Sequence, residues 1–304
     1  MSQKTVIVIA GPTASGKTSL SLQLAEHFNT AIISADSRQC YKELNIGVAK
    51  PATADLERIP HYFINSHSIH EQVNAGVYES YALAAAKTIF TTKDIAILVG
   101  GTGLYIKAFC EGVDDIPEID EQIRTKLRNE YKEKGLVWLQ KMMQQNDTVF
   151  YEKGEMQNPQ RMLRALEVKL SSGKSILDLH SSPQKQRPFN IIKIGTALPR
   201  QHLYNNINKR VDDMIAEGLE AEARSLKAYR NINALQTVGY KEMFDYFEGI
   251  ISREQAIDEI KKNTRHYAKR QLTWFNRDEK IQWINPEVNN TKASVLELIA
   301  GSKA

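Results

Sequence analysis

Apolar positions follow two rhythms along the chain. Five short runs are apolar almost throughout: Val6 to Ala10, Ala31 to Ser34, Ile95 to Val99, Ile191 to Ala197 and, more weakly, Ile281 to Ile284. Runs of this length without alternation suit strands buried on both faces, and helical patterns separate most of them. The succession predicts an α/β fold, a mostly parallel sheet flanked by helices.

The interval from 114 to 189 breaks the rhythm. It is charged and helix-patterned, with Ile123, Leu127 and Tyr131, then Trp138, Leu139, Met142 and Met143, and holds no convincing strand. We expect an inserted helical domain at 114–189 within a core made of 1–113 and 190–304. Its flanks, GVDDIPEID and SSPQKQRPFN, carry the proline and polar residues found where a chain leaves and re-enters a sheet domain. Beyond it, Leu203, Ile207, Val211, Met214, Ile215 and Leu219 recur at helical spacing, with Arg210 beside the stripe. Ser252 followed by Gln255 reads as a capping box opening a second helix, which runs through Ile257, Ile260 and Ala268 towards Leu272. On that helix Lys261, Arg265 and Lys269 form one basic row and Lys262, His266 and Arg270 the next. Such a ridge suits either RNA or a solvated face. Trp274 and Trp283 are expected in the core.

Composition narrows the class. Hydrophobic residues make up 42% and charged residues 25% of the 304, which excludes a disordered chain. No apolar stretch reaches membrane-spanning length, and the first run is too short for a signal-peptide core, so a cytoplasmic protein without membrane contact is expected. The net charge of +4 is mild, so only its distribution can argue for a polyanionic partner. Cys40 and Cys110 cannot build a disulfide framework and lack zinc-site spacing.

The chemistry begins at residues 9–18, IAGPTASGKT. Gly11, Pro12, Thr13, Ala14, Ser15, Gly16, Lys17 and Thr18 form the GxxxxGKT pattern, fed by the first apolar run, in which loop amides and a helix N-terminus hold phosphate. Lys17 would neutralise phosphate charge, and the Thr18 hydroxyl would ligate Mg²⁺. The motif, by which such loops are labelled nucleotide- or ATP-binding, serves hydrolysis, phosphoryl transfer or the holding of a diphosphate equally well. An ATPase or kinase normally ends a later strand in an acid, whereas IAILV here runs into Gly100-Gly101-Thr102-Gly103. The acid follows the second run instead, where Asp36 is expected at the carboxyl edge of the sheet. An aspartate there can cap a turn; beside a bound diphosphate it can also accept a proton from a nucleophile.

The segments GPTASGKT, SADSRQCYKELNIGVAKP, LVGGTGLYI, NPQRMLRALEV, TVGYKE and AKRQLTWF stand in the order found in the tRNA dimethylallyltransferases, also called tRNA isopentenyltransferases, which the chain resembles over nearly its full length. The resemblance implies a P-loop NTPase-like core. It implies transfer of a dimethylallyl group from dimethylallyl diphosphate to N6 of the adenosine 3′-adjacent to the anticodon, in tRNAs reading codons that begin with U. Mg²⁺ is the implied cofactor, the anticodon stem-loop the partner, and a monomer is expected. Carried over residue by residue, Asp36 takes the N6 proton, Thr102 orients the amine, and Lys17 and Arg210 stabilise the leaving diphosphate. The tRNA contacts fall to Asp36, Ser37, Arg38, Gln39 and Thr102, with Arg124 and the run Gln157, Asn158, Pro159, Gln160 and Arg161 on the anticodon arm; TVGYK is a weaker contact. Three alternatives remain: a small-molecule or nucleoside kinase, a prenyltransferase acting on free adenine nucleotides, and a noncatalytic RNA-binding P-loop protein.

Overall fold

The first apolar run forms the strand Thr5–Ala10 (β1). Val6, Val8 and Ala10 face one hydrophobic layer, and Ile7 and Ile9 face the other. Alternate residues of a strand point to opposite sides, so a strand with no polar side must be covered twice. Val6, Ile7, Val8 and Ile9 are wholly buried, each worth about 1.5–3 kcal/mol relative to exposure. The computed structural model describes residues 4–114, 116–117, 119–179, 185–287 and 291–301.

Among the described residues β1 is joined by Ile32–Ser34 (β2), His61–Tyr62 (β3), Ile95–Gly100 (β4), Asn190–Thr196 (β5) and Gln282–Ile284 (β6), all parallel, in the order β3-β2-β4-β1-β5-β6. Each of the five apolar runs contains a strand. The short edge strand β3 carries no hydrophobic signature and was not foreseen. Helices Lys17–His27 and Thr291–Gly301 help to cover one face, and Ala75–Ile89, Gly103–Glu111 and the helices between Arg200 and Phe275 cover the other.

The chain divides into two compact units, residues 1–111 with 186–304, and residues 112–185. The second unit is helical and has its own core of Leu127, Leu139, Met143, Phe150, Met162, Leu163, Leu166, Val168 and Ile176. Its long helix, Glu121–Asn146, is interrupted at Gly135, whose φ of 73° is left-handed, which is why the two stretches of helical patterning fall on either side of it. Residues 181–184 of the expected re-entry segment lie outside the described residues.

Two long helices flank the site. Arg200–Glu217 buries Leu203, Ile207 and Val211 and stops at Gly218, so Leu219 begins the next helix. Arg253–Phe275 opens with the reciprocal Ser252 and Gln255 bonds of a capping box. No helix among the described residues is long and apolar enough to cross a membrane.

Candidate active site

In open parallel sheets ligands bind beyond the carboxyl ends of the strands. Here Ala10 pairs in register with Gly100 on one side and Gly195 on the other, so the loops leaving β1, β4 and β5 emerge together. After β1 the chain turns through left-handed conformations at Gly11 (φ 146°), Ala14 (φ 61°) and Gly16 (φ 84°) before entering the helix Lys17–His27. A side chain on Gly11 would put its Cβ 2.6 Å from the Thr196 carbonyl oxygen, so only glycine lets the loop pass β5 so closely. Ser15 Oγ donates to the Pro12 carbonyl at 2.8 Å and pairs with Thr196 Oγ1 at 2.6 Å. No side chain caps the helix at Gly16, which leaves the first-turn amides to an anion. The Lys17 ammonium bonds the Pro12 carbonyl, and Thr18 is exposed at the helix start.

Asp36 lies just past β2, where Ala35 N–H donates to Val99 O at 2.7 Å and Ala35 O accepts from Thr102 N–H at 3.1 Å. Its Oδ1 accepts from Arg38 N–H at 2.8 Å and Gln39 N–H at 3.3 Å. Oδ2 has no hydrogen-bond partner among the described residues. The turn-capping role and an open carboxylate oxygen therefore coexist in one side chain. Thr102 Oγ1 accepts from Ser37 N–H at 3.0 Å. Gln39 Nε2 donates to the carbonyls of Val48 (3.3 Å) and Ala49 (2.9 Å).

Arg210 reaches in from the helix Arg200–Glu217, donating to Thr13 Oγ1 at 3.1 Å. Burial and then the Arg210 charge bring the Lys17 ammonium down to about 7, against which Asp36 acts. Burial also works against the Arg210 charge, and Asp36 supports it. Tyr267 is pushed up to about 12 by burial and by Asp36. Lys17, Arg210 and Asp36 thus lie within one another's fields, two cations and one anion around the phosphate loop. The hard oxygen of Thr18 fits magnesium, which takes few protein ligands and completes its shell from phosphate and water.

Two residues of this site escape sequence reasoning. Gln271, 7% exposed, accepts from Thr13 N–H at 2.9 Å and donates to Gly101 O at 2.8 Å; Tyr267 lies one turn earlier on the same helix. The available signal was a glutamine set in the buried stripe of Ile260, Ala268 and Phe275.

Within the helical unit, Asn158 caps the helix Pro159–Ser172 by accepting from Arg161 N–H at 3.3 Å, with Pro159 in the first turn. Gln157, Gln160 and Arg161 are exposed, and Arg161 pairs with Glu155. Arg124 pairs with Glu121 at 2.6 Å and approaches the buried Glu167 at 3.6 Å.

Outside residues 11–18 the structure adds detail to two expectations and corrects a third, the burial of Trp274 and Trp283. Lys261 pairs with Asp212 at 2.6 Å and Arg265 bonds Asn208 at 2.7 Å, so those two members of their row face the helix Arg200–Glu217; Lys269, Lys262, His266 and Arg270 are exposed. In TVGYK, Tyr240 is fully buried and donates to Glu222 Oε1 at 2.6 Å, a packing role. Trp274 and Trp283 are each 37% exposed, because they rest on glycine backbone, Gly103 and Gly195, at the rim of the sheet.

Comparison with known proteins follows the same lines. The family described as IPP transferase matches residues 39–278. The tRNA dimethylallyltransferase of Cytophaga hutchinsonii is 45% identical over 283 residues, 93% of each chain, and tRNA dimethylallyltransferase 1 of Bacteroides fragilis is 43% identical over 297 residues, 98% of this chain and 99% of that one. Among solved structures, the tRNA isopentenylpyrophosphate transferase of Bacillus halodurans superposes with a TM-score of 0.72 at 34% identity, covering 99% and 96% of the two chains. A eukaryotic dimethylallyltransferase acting on tRNA gives 0.78 at 25% identity, over 98% of this chain and 79% of that one.

Proposed function

Because the chain belongs to the IPP transferase family, among the tRNA dimethylallyltransferases, we propose that it transfers the dimethylallyl group of dimethylallyl diphosphate to N6 of the adenosine 3′-adjacent to the anticodon. The substrates are tRNAs reading codons that begin with U, and the products are N6-dimethylallyladenosine and diphosphate. The observation that carries this reading is the meeting of the phosphate loop, Asp36 and Arg210 at one sheet edge, with Gly100-Gly101-Thr102 in place of an acid at the end of β4. The set lacks the strand-end carboxylate with which an ATPase or kinase normally holds its magnesium shell. Everything in it suits departure of a diphosphate from carbon.

In this reading the C1–O bond of the donor breaks as N6 bonds to C1, and the N6 proton passes to Asp36 Oδ2. The loop amides, the Lys17 ammonium and the Arg210 guanidinium hold the charge that gathers on the leaving group. Lys17 gives up its bond to the Pro12 carbonyl in favour of phosphate oxygen. Thr18 with the diphosphate oxygens would hold Mg²⁺, which adds positive charge against the leaving group. Thr102, fixed by Ser37 N–H, orients the amine beside Asp36. The adenine must leave its stack to reach this edge, as base-modifying enzymes require. Ser37, Arg38 and Gln39 meet the extruded nucleoside, and Arg124 with Gln157, Asn158, Pro159, Gln160 and Arg161 meets the anticodon arm. The two buried free thiols, Cys40 and Cys110, suit a reducing cytoplasm.

The test is incubation with labelled dimethylallyl diphosphate, Mg²⁺ and unmodified tRNA, with ATP omitted. Label in RNA supports the reading. Transfer that requires ATP, or binding without turnover, overturns it in favour of the kinase or the passive binder.

A further inference from the structure

Gln271 links two loops that lie far apart in sequence. Its Oε1 accepts from Thr13 N–H at 2.9 Å in the phosphate loop, and its Nε2 donates to Gly101 O at 2.8 Å in the loop that carries Thr102. The residue is 7% exposed, and its bond to Gly101 O is buried. The two loops are also close-fitting: a Cβ on Gly101 would fall 2.2 Å from Gln271 Nε2 and 3.5 Å from Gly11 O. Each end of the amide is one residue from a functional side chain or within it. Thr13 also receives Arg210 through its hydroxyl at 3.1 Å, and Thr102 receives Ser37 N–H at 3.0 Å. A planar amide has a fixed spacing between its oxygen and nitrogen, so it sets the separation of the backbone groups it joins.

We propose that Gln271 is a positioning residue that registers the diphosphate-holding loop against the loop orienting the attacking amine, so that occupancy of the first fixes the geometry of the second. The proposal rests on the transfer reading above for its substrates, although the coupling it describes belongs to the two loops themselves. Misplacement of reacting groups by about an ångström costs on the order of 10²-fold in rate. Losing the amide should therefore act on kcat more than on the KM of either substrate.

Two variants and two readouts test it. Gln271→Met keeps the length of the side chain and removes both bonds. Its single-turnover transfer should fall by roughly 10- to 100-fold while the affinity for inorganic diphosphate changes only severalfold. Gln271→Glu retains an acceptor for Thr13 N–H but sets a carboxylate against the Gly101 carbonyl. Its activity relative to the unaltered protein should be low near pH 8 and recover as pH falls, because a protonated carboxyl accepts and donates as the amide does. A ratio constant with pH, or a Gln271→Met protein of unaltered rate, overturns the proposal.

The second readout needs neither tRNA nor turnover. Inorganic diphosphate added to the unaltered protein should slow amide hydrogen exchange across residues 101–104, and the slowing should vanish in Gln271→Met. Equal slowing in both proteins, or none in either, overturns the coupling even if the transfer reading stands. Loss of slowing only in the variant supports the coupling even if the transfer reading fails.

Discussion

The half-buried Arg210 guanidinium and Lys17 ammonium lie within each other's fields, and after burial itself Arg210 is the influence that most lowers Lys17, to about 7. Asp36 acts against that shift, as the carboxylate whose field favours the charged lysine. A site built in this way is unfavourable when empty and favourable around a polyanion.

Diphosphate binding should therefore take up protons. Above about pH 7 the ligand-free protein carries a largely neutral Lys17, and a diphosphate restores its charge. The apparent affinity for dimethylallyl diphosphate should fall by up to about tenfold per pH unit above that point, until the pKa of the bound state is reached. Calorimetry near pH 8 in buffers of different ionisation enthalpy measures the uptake; none would contradict the lowered pKa. The same shift has a stability sign. Between about 7 and the ordinary 10.5 the unfolded chain binds more protons at this lysine than the folded one, so unfolding free energy from this group rises with pH across that window.

Asp36 serves two purposes that substitution can separate. Asp36→Asn keeps an oxygen to accept from Arg38 and Gln39 N–H, and so keeps the turn, but it cannot take the N6 proton. Single-turnover rates should drop by about 10²- to 10⁴-fold with tRNA affinity little altered. An active Asp36→Asn enzyme would place the base elsewhere.

Arg161 is exposed, and among the described residues its guanidinium pairs with Glu155. Arg161→Ala should weaken tRNA binding, reduce the slope of log affinity against log salt by about one, and leave the rate at saturating tRNA unchanged. Filter binding across a salt series measures this. An unchanged slope would leave Arg161 to Glu155 alone.

Glu222 accepts from Ile46 N–H at 2.8 Å, Gly47 N–H at 3.0 Å and the Tyr240 hydroxyl at 2.6 Å, and so fixes the loop whose later carbonyls hold Gln39. Glu222→Ala should lower stability by about 1.5–3 kcal/mol, the cost of losing hydrogen bonds to a charged group. Denaturant unfolding provides the check. Retention of full stability would mean that the loop is held by packing alone.

What could be read from the sequence, and what could not, divides by range of interaction. Five strands were legible because burial on both faces leaves an uninterrupted apolar run. The caps at Asn158 and Ser252 were legible because their partners lie three residues away. The phosphate loop and the position of Asp36 followed from the strands that deliver them. The edge strand His61–Tyr62 has too few residues to show a pattern. Gln271 could not be placed, because its partners Thr13 and Gly101 become neighbours only when the sheet has assembled. Lys261 and Arg265 looked like an open basic face for the same reason, since Asp212 and Asn208 belong to a different helix.

The central strand has a consequence for the order of events at the ribosome. β1 is made before the helical unit, yet one of its two flanking neighbours is Asn190–Thr196, which emerges only after the whole of that unit. Until then the nascent sheet has a bare hydrophobic edge, the kind of surface that chaperones cover. The inserted helices, whose apolar residues cluster among themselves, can begin to collapse during that wait. The loop 11–18 gains its side-chain partners late, since Arg210 and Gln271, which bond Thr13, leave the exit tunnel only after the helical unit.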